Sequence, residues 1–139
     1  MNAPKIVMLV VTCIAQMVAM TSVAQTSPPL RSRIPRADPK KYNAIRDGQD
    51  WQNPKMIVRP DGIEIIGITP PARGINIESV LDKLEHLPDS AWPYGLVVAV
   101  ADAAILLSRK DMPRIEVNRT KLLKTLKQHG IAAELWPTA

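Results

Sequence analysis

Residues 96–101, Leu-Val-Val-Ala-Val-Ala, are apolar at both parities, and nothing else in the sequence constrains the fold as strongly. A strand turns successive side chains to opposite faces. A run without polar alternation must therefore be covered on both sides or lie at the centre of a sheet. An isolated hairpin cannot house it, so the neighbouring segments are read as its flanks and its cover.

Upstream, Met56 and Val58 alternate with their neighbours, Pro60-Asp61-Gly62 follows, and β-rich residues resume over 63–68. Proline presets φ for a first turn position, aspartate bonds local backbone and glycine accepts positive φ, so a hairpin is predicted. Residues 69–74 read as a loop. Ile77, Val80, Leu81, Leu84 and Leu87 recur at helical spacing, with Asn76 as the cap and Pro88 just past the end. Downstream, 108–114 reads as a charged loop and Ile115-Glu116-Val117 as an optional short strand. Asn118 reads as the cap of a second helix over 119–129, with Gly130 as its stop. Leu122, Leu123 and Leu126 form that helix's inner stripe, and 131–136 reads as a final strand. The order is β-β-α-β-(β)-α-β. The fold class is α+β, a single small sheet of about four to five strands with two helices packed on one face.

Over roughly residues 55–136 this element order resembles the periplasmic domain of the biopolymer-transport and Tol-type coupling proteins, with Gly130-Ile131 between last helix and last strand as a matching detail. Those proteins also set a short apolar segment and a linker ahead of the domain. They place an acidic residue in that segment, and residues 6–23 contain none. The resemblance implies an architecture and does not extend to proton coupling.

Ahead of the domain, Lys5 precedes an apolar run over 6–20, and Ser22-Val23-Ala24 offers small residues where a signal peptidase reads. The expectation is a signal peptide over 1–24, cleaved before Gln25, and an exported, periplasmic or extracellular protein of bacterial type. Left uncleaved, the segment would anchor the chain, since about 20 apolar residues cross a bilayer. Arg31, Arg33, Arg36, Lys40 and Lys41 just beyond it oppose an orientation with the amino terminus inside. Cys13, the one cysteine, lies within the apolar run rather than after it, which argues against lipidation. Its removal leaves a cysteine-free mature chain, without disulfides, thiol nucleophiles or thiolate metal sites.

The formal charge of +5 is unevenly placed. Lys5 supplies one unit, residues 25–41 hold five basic residues against Asp38, and from Tyr42 onward twelve basic residues meet twelve acidic ones. Residues 25–41 also hold Pro28, Pro29, Pro35 and Pro39, with Leu30 and Ile34 as the only large apolar side chains. They are predicted to be a disordered, Pro-rich basic linker ahead of a single domain over 42–139. Charge confined to a linker without an aromatic to stack on bases argues against a specific nucleic-acid site.

His86 and His129 fall on different predicted helices, and there is no phosphate loop, dinucleotide fingerprint or Gly-x-Ser-x-Gly turn. No catalytic residue, metal or cofactor is assigned. Asp102, at the end of the apolar run, is the one carboxylate that burial could turn into an acid or base, so a small hydrolase is the alternative. The plainer reading makes it a strand-end residue bonding backbone donors. The candidate binding residues are Trp92 and Tyr94, in the turn before the central strand, and Lys121, Lys124 and Lys127 on the outer flank of the second helix. Glu78, Asp82 and Glu85 line the first helix and could pair with those lysines. The expectation is a non-catalytic exported module that binds an envelope protein or an anionic envelope component, with membrane contact only if residues 6–24 are retained.

Overall fold

The computed structural model describes residues 28–103 and 108–137; the expected signal peptide lies outside them. In chain order the elements are α1 (Leu30–Arg33), β1 (Lys55–Arg59), β2 (Gly62–Ile66), β3 (Ala72–Ile75), α2 (Ile77–Glu85), β4 (Val97–Asp102), α3 (Met112–Gln128) and β5 (Ala132–Leu135). They form one mixed five-stranded sheet in the order β3-β2-β1-β4-β5. β1 pairs antiparallel with β2 and parallel with β4; β5 extends the parallel side and β3 the antiparallel side. α2 lies over β2, and α3 lies over β1 and β5. The α+β architecture with two helices on one face is the expected one.

β4 sits next to the edge and is covered on both sides. Val98 and Val100 face the helices and join Met56, Val58, Ile63, Ile65, Val80, Leu84, Ile115, Leu122 and Leu126 in the main core. Val97 and Ala99 point to the other face, under Tyr42, Trp51 and Tyr94. The turn at Pro60-Asp61 closes the hairpin, with Arg59 opposite Gly62. The Asn76 side chain caps α2 by accepting from the Ser79 amide at 2.8 Å. Gly130 ends α3 at φ +70°.

Three expectations need correction. Residues 69–74 contain a strand: Ala72 pairs with Ile65 and Ile75 with Ile63, with a register shift between them. Pro70 and Pro71 precede the pairing, and Gly74, at φ +62°, lies in the irregularity, so the breakers mark a bulge rather than a loop. Residues 115–117 are helical, not a strand. α3 starts at Met112 with Pro113 in its first turn, where a missing amide costs nothing, and Ile115 continues the stripe of Leu122 and Leu126. Asn118 is therefore inside the helix, and its amide donates to the Arg59 carbonyl at 2.8 Å instead of capping.

The third correction concerns the linker. Residues 28–41 are folded onto the domain, whose described part starts at 28 rather than 42. Leu30 is 5% exposed and Ile34 4%, both within the main core. The Leu96 amide donates to the Pro35 carbonyl at 2.9 Å and the Asp38 amide to Tyr94 at 3.0 Å, so the segment runs beside the approach to β4. Arg33 pairs with Asp89, and its Nη2 donates to the carbonyls of Glu85 at 2.5 Å and Leu87 at 3.1 Å. These acceptors lie at the carboxy end of α2, where a helix leaves carbonyls unpaired. Composition misled because two apolar side chains four apart, set between prolines that already restrict the unfolded backbone, suffice to dock a short segment.

Candidate functional site

β5 is an edge strand with an aromatic layer behind it. The amides of Ala132 and Trp136 donate to the carbonyls of Leu96 and Val100, each at 2.9 Å. In a parallel ladder alternate residues turn both N–H and C=O to the same neighbour. Those of Ala133 and Leu135 therefore face outward, where no strand lies among the described residues. Leu135 is 63% exposed. Beside it opens a cleft of about 320 Å³ lined by Tyr42, Arg46, Trp51, Glu134, Leu135 and Trp136, among others.

The cleft exists because the chain before β1 crosses the back of the sheet. Trp51 lies 5.6 Å from Tyr42, 5.2 Å from Tyr94 and 5.8 Å from Trp136, ring centre to ring centre. Edge-on and tilted contacts of this kind suit the ring quadrupoles. Buried Asn53 fixes the layer: its Nδ2 donates to the carbonyls of Gly95 at 2.8 Å and Val97 at 2.7 Å, and its Oδ1 accepts from the Tyr94 amide at 3.0 Å. Burial pushes the Tyr42 phenol above its ordinary pKa, with the Glu134 and then the Asp38 carboxylate adding to the effect. Glu134 and Arg46 set one charge of each sign in the lining of the cleft.

The expected binding residues divide. Trp92, 3% exposed, is a main-core residue, and its indole Nε1 is buried with no acceptor among the described residues. Tyr94, 8% exposed, belongs to the aromatic layer and donates from its hydroxyl to the Asp50 carbonyl at 3.2 Å. Neither offers a free contact surface. A chain without Phe must fill its interior with the rings it has. Lys121, Lys124 and Lys127 are exposed on α3, and among the described residues none forms an ion pair with Glu78, Asp82 or Glu85.

Asp102 pairs with Arg119 of α3, its other carboxylate oxygen buried without a partner among the described residues. The pair ties the end of β4 to α3, and no hydroxyl or imidazole among the described residues hydrogen-bonds to Asp102. His86 and His129 are exposed, each with Nδ1 against a carbonyl four residues back, those of Asp82 and Thr125.

Sequence reading missed Tyr42, Arg46, Glu134 and Leu135 as site residues. The period-two register of Glu134 and Trp136, on the same face as Val97 and Ala99, was the available signal. It also missed Glu64, an acid among Ile63, Ile65 and Ile66. Its buried carboxylate accepts from Arg59 Nε at 2.6 Å and Arg73 Nε at 2.7 Å. Burial alone pushes this carboxyl up. The hydrogen bonds and charges of Arg59 and Arg73 outweigh that and hold it below the ordinary range. A group whose folded pKa is depressed adds stability above its unfolded pKa and loses it as pH falls through the folded one. Below about pH 5 the protein should therefore lose stability more steeply than a Glu64→Gln variant, in urea midpoints measured against pH. Parallel curves would show that Glu64 is not the titrating group.

Comparison with protein-family models, with curated proteins and with solved structures gives no match to this chain. The resemblance in element order to the coupling-protein domains gains no support from them. Among the described residues no helix is long and apolar enough to cross a membrane.

Proposed function

We propose that the protein is an exported, non-catalytic binding module of a bacterial envelope, and that its site is the free edge of β5 with the aromatic cleft beside it. The observation that carries this reading is one of coincidence. An unpaired strand edge, an exposed leucine and a ring-lined cleft occupy the same few residues, Ala133 to Trp136. An extended segment of a partner protein adds to the edge through the outward N–H and C=O groups of Ala133 and Leu135, and lays an apolar side chain against Trp136 and Tyr42. A second copy of this chain suits the edge poorly. Two-fold antiparallel pairing about residue 134 would set Glu134 against Glu134, and like charges directly opposite destabilise a pair. A partner with Lys or Arg at that position reverses the sign. Export rests on residues 1–24, and sequencing the amino terminus of the protein recovered from the envelope should give Gln25.

A photoreactive side chain at position 135 should cross-link one envelope protein other than this chain. Ala133→Pro removes one outward amide, leaves the bonds to β4 intact, and should cut that capture about tenfold. Equal capture from exposed position 116 on α3, or an adduct of twice the chain's own mass, would sink the reading.

A further inference from the structure

Arg31, from the segment ahead of β1, meets the carboxy end of α3. Along α3, Arg114, Val117, Lys121, Lys124 and Gln128 fall in one stripe, turned away from the buried Ile115, Leu122 and Leu126, and all five are exposed. Three are cations and none is an acid; exposed Lys127 adds a fourth charge on the flank. At the end of the helix the guanidinium of Arg31 lies against Gly130, in the space a Cβ would take. Arg31 and Arg36 line a cleft together with Gly130 and Ala132. Among the described residues none of these six cations has an ion-pair partner. The acids Glu78, Asp82 and Glu85 are exposed on α2, over the β2 side of the sheet. Lys121 shares a cleft with Glu78 at the amino end of α2, and Arg31 shares one with Glu85 at its carboxy end, so the basic ridge of α3 borders the acidic face of α2.

We propose that this basic ridge seats the domain on an anionic lipid bilayer. Its shape favours a flat headgroup layer over a strand-like polyanion. The cations of α3 stand along the ridge of the helix, with exposed Val117 among them and no exposed Trp or Tyr ring among the described residues. The chain leads to the same place. From Ala24, where the apolar segment ends, at most about 14 Å of extended backbone reaches Pro28. Arg31 is therefore among the first residues to meet a membrane from which that segment emerges. With the segment removed, the same cations remain to hold the domain to headgroups, by about a five-fold gain in partition for each lysine near the surface.

The test uses the mature chain from Gln25, which contains every described strand, helix and core residue. It is co-sedimented with phosphatidylcholine vesicles and with vesicles carrying about one third phosphatidylglycerol. Binding should appear only with the anionic vesicles and fall as salt shortens the range of the field. Lys121→Gln with Lys124→Gln should weaken it by about twenty-five-fold with unchanged melting, whereas Lys83→Gln on α2 should change it less than about two-fold. Equal binding to both vesicles, or indifference to the α3 pair, overturns the proposal. So does tighter retention on double-stranded DNA than on anionic vesicles, which would make the surface a polyanion site.

Discussion

A chain that begins at Tyr42 should fail to fold. Were residues 25–41 a spacer, removing them would leave the urea midpoint where it was. The structure puts Leu30 and Ile34 in the main core, Arg33 on the carbonyls that end α2, and the Pro35 carbonyl on the Leu96 amide. Burial of the two apolar side chains contributes roughly 1.5–3 kcal/mol each. A charge-assisted hydrogen bond to a helix end contributes about 1.5–3 kcal/mol more. The loss is at least about 5 kcal/mol, as much as the whole stability of many domains this size. Far-UV circular dichroism at low temperature should show the truncated chain unfolded or collapsed without a cooperative transition. Ile34→Asp in the intact chain guards against aggregation as the explanation. One buried, unpaired carboxylate should lower stability by about 3 kcal/mol or more, through the same contacts and with no change in length. A midpoint that does not move in the point variant would return the segment to its role as a spacer.

What could be read from the sequence, and what could not, follows from how far each interaction reaches. The hairpin at Pro60-Asp61-Gly62, the Asn76 cap and the Gly130 stop are decided within a few residues, and each stands where the local signals placed it. The run over 96–101 demanded cover on both faces and has it. The docking of residues 28–41 is decided by side chains far along the chain: Arg33 meets Glu85 and Asp89, and Pro35 meets Leu96. No window of composition registers that. From the sequence Trp92 and Tyr94 are either contact residues, since exposed rings anchor partners, or the aromatic filling of a core without Phe, and the structure decides for the core. Here the turn lies under two layers, and the rings go one to each core. The three lysines of α3 were visible as a stripe. Their continuity with Arg31 and Arg36 depends on Gly130 receiving a side chain from the far end of the sequence.

Asn53→Asp should be the most damaging single substitution at the back of the sheet, although it changes one NH₂ for an oxygen. Asn53 is 4% exposed and meets three backbone groups at once. Its two amide hydrogens satisfy carbonyls that point away from β5, and its oxygen satisfies the Tyr94 amide. A carboxylate keeps the last bond and sets its second oxygen against two carbonyl oxygens, with no donor left between them. The Val97 carbonyl loses its donor, the Gly95 carbonyl keeps only the Val97 amide at 2.8 Å, and a charge is buried without a partner, a cost of about 4 kcal/mol or more. Asn53→Ala leaves the Val97 carbonyl and the Tyr94 amide unpaired but buries no charge, so about 2–3 kcal/mol is expected. Urea midpoints at neutral pH should rank the natural chain above the alanine variant and the alanine variant above the aspartate one. The pH dependence separates charge from shape. An introduced acid that is harder to ionise in the folded than in the unfolded chain has a raised folded pKa, so it destabilises at high pH and is relieved as pH falls. Relative to the natural chain, the aspartate variant should recover stability on acidification while the alanine variant does not. Asn53 also holds the Tyr94–Val97 backbone beneath the rings of Trp51 and Tyr42, so cross-linking from position 135 should fall in step with stability in both variants. Capture that survives loss of this bond would mean that the β5 edge binds without its aromatic layer.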